Sequence, residues 1–162
     1  MLKLNPEIEK EVLIKSAEEI CIAARTAPKS YGEDSIVTAI IYDEELKKLQ
    51  QETRKIGEEK KLHFLLRDGE NINDKIVVLI GTSLKTHPPL FLDNEYIDPC
   101  IDLGIAIGSA VSTASVLKID NRIMLSIGLA AVNLKILGED VKIAYGMPLS
   151  ISGKNPFFDR KK

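Results

Sequence analysis

The sequence predicts a single domain that combines α-helices with short β-strands. Its 162 residues correspond to one domain of ordinary size, and 44% hydrophobic with 28% charged residues is typical of a chain that buries a core. Helical spacing of apolar residues in some segments, and short unbroken apolar runs in others, indicate the two kinds of element. The formal net charge is −2, so binding to nucleic acid or to a membrane surface is not expected.

The first half of the chain predicts a helix, a strand and a second helix. From Pro6 to Ala27 apolar residues recur three and four positions apart, which forms one stripe of a helix that Pro28 ends. The β-branched stretch from Ser35 to Tyr42 favours a strand. The helix after it begins with three acidic residues, and its charged outer face indicates a solvated surface. Its predicted inner edge consists of Leu46, Leu49, Thr53 and Ile56.

The middle of the chain predicts a buried strand and a buried helix. The apolar run between Lys75 and Gly81 is typical of a strand covered on both faces. A long connection from Thr82 to Asp98 follows. The uncharged stretch from Leu103 to Leu117 has 15 residues, fewer than the roughly 20 that span a bilayer. Its residues Gly104, Gly108 and Ser112 share one face and permit close approach of another helix. We expect that helix to belong to the same chain, and the alternative is a subunit interface.

The last part of the chain leaves one alternative open. Ile123 to Ile127 could be a short strand before a helix from Gly128 to Leu137, or the two could form one helix. Val141 to Tyr145 is predicted as the last strand. The remaining residues, 146–160, are predicted as a polar loop.

This polar loop contains residue types that bind phosphate. It is not a nucleotide-hydrolysing P-loop, because six residues separate Gly146 from Gly153 and Asn155 stands where a Ser or Thr is required. Hydroxyl groups, an uncovered backbone and two cations nevertheless suit one phosphate. The candidates are Ser150, Ser152, Gly153, Lys154 and Arg160. The alternative is an ordered tail that closes the fold.

Two further polar segments lie between apolar elements. Arg25 and Lys29 flank the end of the first helix, where they either contact a ligand or cap the helix, since cations suit a helix C-terminus. Asn121 belongs to a dense polar turn, Asp120 to Arg122, whose groups serve either the turn itself or a ligand. No nucleophile pair or acid/base pair can be identified, so the catalytic residues stay unknown.

The cysteine content restricts cofactor chemistry. Cys21 and Cys100 cannot supply the four thiolates of an iron–sulfur cluster, and the two histidines do not complete a zinc site. No metal centre is therefore expected. The first residues lack the apolar core of a signal peptide, which favours a reducing cytoplasm and two free thiols.

Four ordered blocks, residues 23–29, 102–111, 120–124 and 146–160, resemble the uncharacterised prokaryotic family of ferredoxin-domain-containing proteins. Members of that family commonly carry a Cys-rich segment between the central strand and the buried helix. The corresponding interval here, Thr82 to Pro99, has no cysteine, so no iron–sulfur cluster is expected.

The chain is also similar, more distantly, to flavin-dependent nitroreductases. The likeness lies in the turn at Ala27-Pro28, in the helix start from Asp102 to Ala106, and in Gly146-Met147-Pro148 after the last strand. It implies an α+β nitroreductase-like sandwich over residues 1–162, with a mixed central sheet flanked by helices.

The same resemblance implies a function: a homodimer that binds FMN, or a related phosphate-bearing ligand, and acts as an NAD(P)H-dependent flavin oxidoreductase. It would place Lys154 and Arg160 on the phosphate, with Arg25, Lys29 and Asn121 lining the site. The alternative function is a non-catalytic ligand-binding or scaffold protein that has lost the family's cluster.

Overall fold

The computed structural model describes Leu2 and residues 4–83, 97–151 and 153. Helices and strands alternate along most of this range. The elements are α1 (Asn5–Thr26), a 3₁₀ turn (Ser30–Gly32), β1 (Ile36–Ile41), α2 (Asp43–Lys60), α3 (His63–Asn71), β2 (Ile76–Ser83), α4 (Ile97–Val116), β3 (Asp120–Asn121), α5 (Leu125–Asn133) and β4 (Val141–Ser150).

The four strands form one sheet in the order β1-β2-β4-β3. All three neighbouring pairs are antiparallel. The expectation of a mixed sheet is therefore not met among the described strands. The reason is visible in the first connection: β1 ends at Ile41, which pairs with Val77 at the start of β2. The α2–α3 segment thus returns the chain to the end of the sheet at which β1 finishes. β2 must therefore run antiparallel to β1.

Helices cover both faces of the sheet. β2 sends Ile76, Val78 and Ile80 into a core shared with α1 and α4, whereas Val77 and Leu79 point into a core shared with α2, α3 and α5. All five side chains are buried, as alternation along a central strand requires. The prediction of a strand covered on both faces is confirmed.

The first half of the chain folds largely as predicted. α1 matches the predicted helix within one residue at each end, and β1 lies inside the predicted strand. The predicted inner edge of α2, residues 46, 49, 53 and 56, is buried. α3 was not predicted, because its apolar residues are few and its start follows α2 after two residues. It is anchored to α5 by the Ser126 hydroxyl, which donates to the buried carboxylate of Asp68 over 2.6 Å.

α4 differs from its prediction in length and in burial. It has 20 residues rather than 15, and by length and composition alone Asp98–Val116 could cross a membrane, as many core helices of soluble proteins could. One side packs on α1, where the Ser109 hydroxyl donates to the Ala23 carbonyl over 2.8 Å. The side with Gly104 and Gly108 is exposed, and a Cβ at either glycine would meet nothing within 4 Å. The expectation of close packing within the chain is therefore wrong for this face.

The last two elements also begin and end elsewhere than predicted. α5 begins at Leu125, so neither a strand over residues 123–127 nor one continuous helix forms; Met124 instead makes an isolated bridge to Gly146. β4 continues to Ser150, although Gly146 to Ser150 was predicted as loop. Pairing with β2 extends the strand through Pro148. Most of the predicted connection from Thr82 to Asp98, residues 84–96, lies outside the described residues.

Candidate functional site

A cavity of about 270 Å³ opens where β2 begins, β4 ends and β3 lies at the sheet edge. Polar groups from four segments converge on it. They are Asn71 at the end of α3, Lys75 just before β2, Asp120, Asn121 and Arg122 in and after β3, and Ser150 at the end of β4. Met124, Pro148 and Leu149 form its apolar wall and are all buried. The sheet therefore gathers residues that are up to 79 positions apart in the sequence, from Asn71 to Ser150.

The charges of this cavity are incompletely neutralised. Lys75 donates to the Ser150 hydroxyl over 3.0 Å, and among the described residues neither Lys75 nor Arg122 forms an ion pair. Asp120 is the one carboxylate in the lining. Asn121 donates through Nδ2 to the Ile119 carbonyl over 3.2 Å, which leaves its side-chain oxygen to accept another bond. With two cations and one carboxylate, the lining of this cavity carries a net positive charge.

The segment between β3 and α5 is fixed at both ends. Asn121 pairs with Leu149 in the sheet. Met124 and Gly146 exchange two backbone hydrogen bonds of 2.8 and 2.9 Å. α5 then lies so close to β4 that a Cβ on Gly128 would be 1.8 Å from the Ala144 carbonyl oxygen. Arg122 therefore projects from a backbone that the core holds in place.

Arg25 and Lys29 lie at the opposite end of the sheet. The Lys29 ammonium donates to the Arg25 carbonyl, and to the Ala27 carbonyl over 2.9 Å. Arg25 pairs with Asp34. Both interactions hold the end of α1, because a cation there satisfies carbonyls that lack helical partners. The helix-capping alternative is thus realised for Lys29.

A buried carboxylate organises the same end. Asp102, on α4, is 4% exposed and accepts from the backbone N–H and the hydroxyl of Ser30, over 2.9 and 3.0 Å. The turn that it holds contains Tyr31 at φ 58° and Gly32 at φ 68°. Asp102 therefore couples the residues after α1 to the first turns of α4.

The predicted site residues consequently form two groups in one chain. Ser150 lies next to the β2 residue Ile76, whereas the chain from Lys29 enters β1 at Ile36, which pairs with Thr82. Six residues of β2 separate these positions, which is about 20 Å at 3.3 Å per residue. Asn121 and Ser150 belong to one end, Arg25 and Lys29 to the other. Gly153 is exposed, and Ser152, Lys154 and Arg160 lie outside the described residues.

A larger groove of about 750 Å³ adjoins the cavity at Lys75 and Ser150. Its lining holds four carboxylates and three lysines; Lys10 pairs with Asp43 over 2.8 Å, and Lys47 with Glu44 over 2.6 Å. A groove with an excess of carboxylates suits an anionic ligand less than the smaller, net-positive cavity. The smaller cavity is therefore the better candidate site.

Among the described residues, the two cysteines and His63 do not line the cavity. Cys21 is half-buried, and burial raises the pKa of its thiol above the ordinary value of 9.0, which makes it unreactive. Cys100 is exposed on α4, and both thiols are free. His63 is exposed at the start of α3. Within the described ranges, no group of three or more His, Cys, Asp or Glu residues could hold a metal ion.

Sequence reasoning missed two residues of the cavity, Lys75 and Asn71. Arg122 belongs to the turn from Asp120 to Arg122, for which a ligand contact was one of two alternatives. One signal in the sequence could have indicated a shared site: Lys75 and Ser150 each stand at the end of an apolar run. Their convergence depends on strand order, which no local pattern gives.

Comparison with known sequences identifies the family of this chain. Residues 99–160 match the profile of a family described as "Uncharacterized protein containing a ferredoxin domain (DUF2148)". An uncharacterized protein from Archaeoglobus fulgidus is 35% identical, over 99% of this chain and 98% of the relative. The chain belongs to this family. The matched part of the DUF2148 profile includes α4, β3, α5 and β4, and hence most of the candidate cavity.

The fold of this DUF2148 member is that of nitroreductases. Nitroreductase CinD from Lactococcus lactis, in complex with 4-nitrophenol, superposes with a TM-score of 0.61 at 19% identity, covering 93% of this chain and 85% of CinD. A nitroreductase with bound FMN from Bacteroides fragilis gives a TM-score of 0.66 at 15% identity, covering 91% and 82%. The α+β nitroreductase-like fold class is confirmed. At these identities the likeness establishes the fold alone.

Proposed function

We propose that this protein is a cytoplasmic homodimer, each subunit a single nitroreductase-like domain over residues 1–162. It binds FMN, or a related phosphate-bearing ligand, at a site shared between two subunits. In this role it acts as an NAD(P)H-dependent flavin oxidoreductase. The proposal rests on the exposed face of α4. This helix extends from one polar end of the sheet to the other.

This face has the composition of a helix–helix contact. Ile101 and Ile105 are 54% and 42% exposed, and Val116 at the other end of α4 is 75% exposed. Between them lie Gly104, Gly108 and Ser112, which let a second helix approach closely. A second copy of α4 is the occupant that suits it best, because the same small-residue stripe then serves both sides of an isologous contact.

An antiparallel pairing of two α4 helices would unite the two polar ends. Asp102, near the start of α4, holds the turn that follows Lys29, and the end of α4 leads within a few residues to Asn121. About 21 Å of helix separates Asp102 from Val116 at 1.5 Å per residue. About a two-fold axis, the start of one α4 lies beside the end of the other. Arg25 and Lys29 of one subunit then approach the cavity of its partner.

The cavity suits part of an FMN molecule. Its volume of about 270 Å³ is below the range of roughly 300–1,000 Å³ that encloses whole small ligands, so a second subunit is needed to cover the rest. The net-positive end suits a phosphate, and the wall of Met124, Pro148 and Leu149 suits a ring that must be kept from water.

Each residue has a defined task in this proposal. Bound FMN would supply hydride transfer between a nicotinamide and an acceptor. Asn121 and Ser150 would orient the ligand, and Gly153 would let it approach the backbone. Lys154 and Arg160, which follow β4, would add positive charge that helps to hold the phosphate. Arg25 of the partner subunit would place positive charge beside the ring. Lys29 would hold the α1 turn through its bonds to the Arg25 and Ala27 carbonyls.

Flavin retention tests the proposal. The purified protein is incubated with excess FMN and desalted, and the retained flavin is measured by visible absorbance together with NADPH oxidation. We expect flavin near one per subunit. A colourless, folded dimer would instead favour the alternative, a non-catalytic ligand-binding or scaffold protein.

A charge on the α4 face tests the shared site. Ile105→Glu should convert the dimer to monomer and lower flavin retention at least about tenfold, because an unpaired charge in an apolar contact costs several kcal/mol. Ile22→Glu is the matched control, since Ile22 is an exposed isoleucine on α1. Light scattering and absorbance give both readouts. A monomeric Ile105→Glu that keeps its flavin would contradict the shared site.

A further inference from the structure

We infer that Lys75 and Arg122 form the anion grip of the site and bind the phosphate of a phosphomonoester ligand. The inference rests on the proposed function and deepens it by assigning the charge recognition to two residues of the described chain.

The strand order brings the two cations to opposite walls of one space. Lys75 precedes β2 and Arg122 follows β3, and β4 lies between these strands. Two strand spacings of about 4.8 Å, combined with an offset of two residues along β4, put their backbones about 12 Å apart. Both side chains line the same cavity. Lysine and arginine side chains are long enough to reach one small anion from backbones at that distance.

Neither cation forms an ion pair with another described residue. In the part of the molecule that the structure describes, Arg122 has no ion pair, and Lys75 bonds only the Ser150 hydroxyl. Other lysines near this region are paired: Lys10 with Asp43, and Lys47 with Glu44. Both cations line one cavity that holds a single carboxylate, so the lining carries a net positive charge that favours an anionic ligand.

The neutral groups of the cavity match phosphate better than carboxylate. Besides the two cations, the Ser150 hydroxyl and the amides of Asn71 and Asn121 line the space. A phosphomonoester presents three terminal oxygens, which can accept from several donors at once, whereas a carboxylate presents two. The Asp120 carboxylate also lines the cavity and would repel a ligand whose charge was placed on its side.

The grip is tested by comparing FMN with riboflavin, which lacks the phosphate. Lys75→Met and Arg122→Met should each weaken FMN binding about ten- to hundredfold, the effect of losing a hydrogen bond from a charged group. Riboflavin affinity should stay within about threefold of wild type, because it makes no phosphate contact. Lys75→Arg should retain the preference for FMN. Isothermal titration calorimetry measures all affinities.

Lys142→Met is the matched control, because it removes the same charge from an exposed lysine near the other end of β4. It should leave both affinities unchanged. Equal losses of FMN and riboflavin in Lys75→Met and Arg122→Met, or no loss of either, would overturn the inference. Unfolding curves of the variants confirm that each is folded.

Failure of the proposed function gives a different result. If wild-type protein binds neither flavin, the cofactor proposal fails while the grip is tested with inorganic phosphate. Backbone amide shifts at Asn71, Asn121 and Ser150 should then respond to phosphate in wild type and in Lys142→Met, but not in Lys75→Met. No response in wild type would overturn the grip as well.

Discussion

The two polar ends of the sheet are built from similar residues but use them in opposite ways. At the Thr82 end, Lys29 bonds two carbonyls, Arg25 pairs with Asp34, and Asp102 accepts two bonds from Ser30. At the Ser150 end, Lys75 and Arg122 converge on a cavity without an ion pair among the described residues.

This difference distinguishes polar groups that serve the structure from those that we propose to bind a ligand. A cation whose donors are satisfied by the chain contributes to folding, and its removal leaves carbonyls unsatisfied. A cation without a partner contributes little to folding and keeps its capacity for a ligand. Variants at the Thr82 end should therefore lower stability, and variants at the Ser150 end should lower binding. The following predictions concern the flavin-free protein, at one protein concentration.

The largest effect is expected from disturbing the frame of the Ser150 end. Gly128→Ala would place a Cβ 1.8 Å from the Ala144 carbonyl oxygen, so α5 and β4 must separate. We expect a loss of about 3 kcal/mol or more in the free energy of unfolding, measured by urea denaturation. Gly153→Ala, where a Cβ meets nothing within 4 Å, is the control and should change stability by about 0.5 kcal/mol or less.

The next effect contrasts two aspartates. Asp102→Ala leaves the Ser30 N–H and hydroxyl without their acceptor and should cost about 1–3 kcal/mol. Asp120→Ala removes an exposed carboxylate of the cavity and should change stability by about 0.5 kcal/mol or less. Thermal and urea unfolding measure both. Equal losses would mean that the two ends do not differ as described.

A smaller effect contrasts two lysines. Lys29→Met removes the cap of α1 and should cost about 0.5–1 kcal/mol. Lys75→Met loses one bond to a half-buried hydroxyl, so its cost should stay within about 0.5 kcal/mol. Urea midpoints resolve the difference. A larger loss for Lys75→Met would assign that lysine to the structure rather than to a ligand.

The smallest effect concerns the ion pair of Arg25 and Asp34. Their side chains are 44% and 64% exposed, and exposed pairs contribute about 0–1 kcal/mol. A double-mutant cycle with Arg25→Ala and Asp34→Ala should give a coupling energy below about 0.5 kcal/mol that falls further in high salt. A larger coupling that salt leaves unchanged would mean that this pair is structurally more important than its exposure indicates.

The sequence predicted those parts of the fold that local patterns determine. α1 and β2 followed from apolar spacing, because a helix stripe and a doubly covered strand each have a characteristic period. α4 was predicted as a helix, but its exposed face was assigned to the interior, since periodicity does not say what lies opposite each face. β4 was predicted too short, because Gly146 and Pro148 favour a break locally while pairing with β2 extends the strand.

The candidate site was predicted less completely for the same physical reason. Asn121 and Ser150 were recognised as polar residues beside apolar segments, and the structure brings them to one cavity. Arg25 and Lys29 were grouped with them, but they lie at the other end of the sheet. Lys75 joins the cavity only because β2 and β4 are neighbours in the sheet. Strand order is a long-range property, which a single sequence does not display.

The short segment from Asn121 to Met124 has a consequence for how this fold can change its ligand. Its backbone is held by Leu149 at one end and by Gly146 at the other, so binding need not order it. Ordering a residue costs about 1–2 kcal/mol of conformational entropy, a cost that folding has already met here. Under the proposed anion binding, affinity and specificity would therefore depend on the side chains of a fixed backbone. Exchanging the residue at position 122 would then alter the preferred anion and leave the framework unchanged.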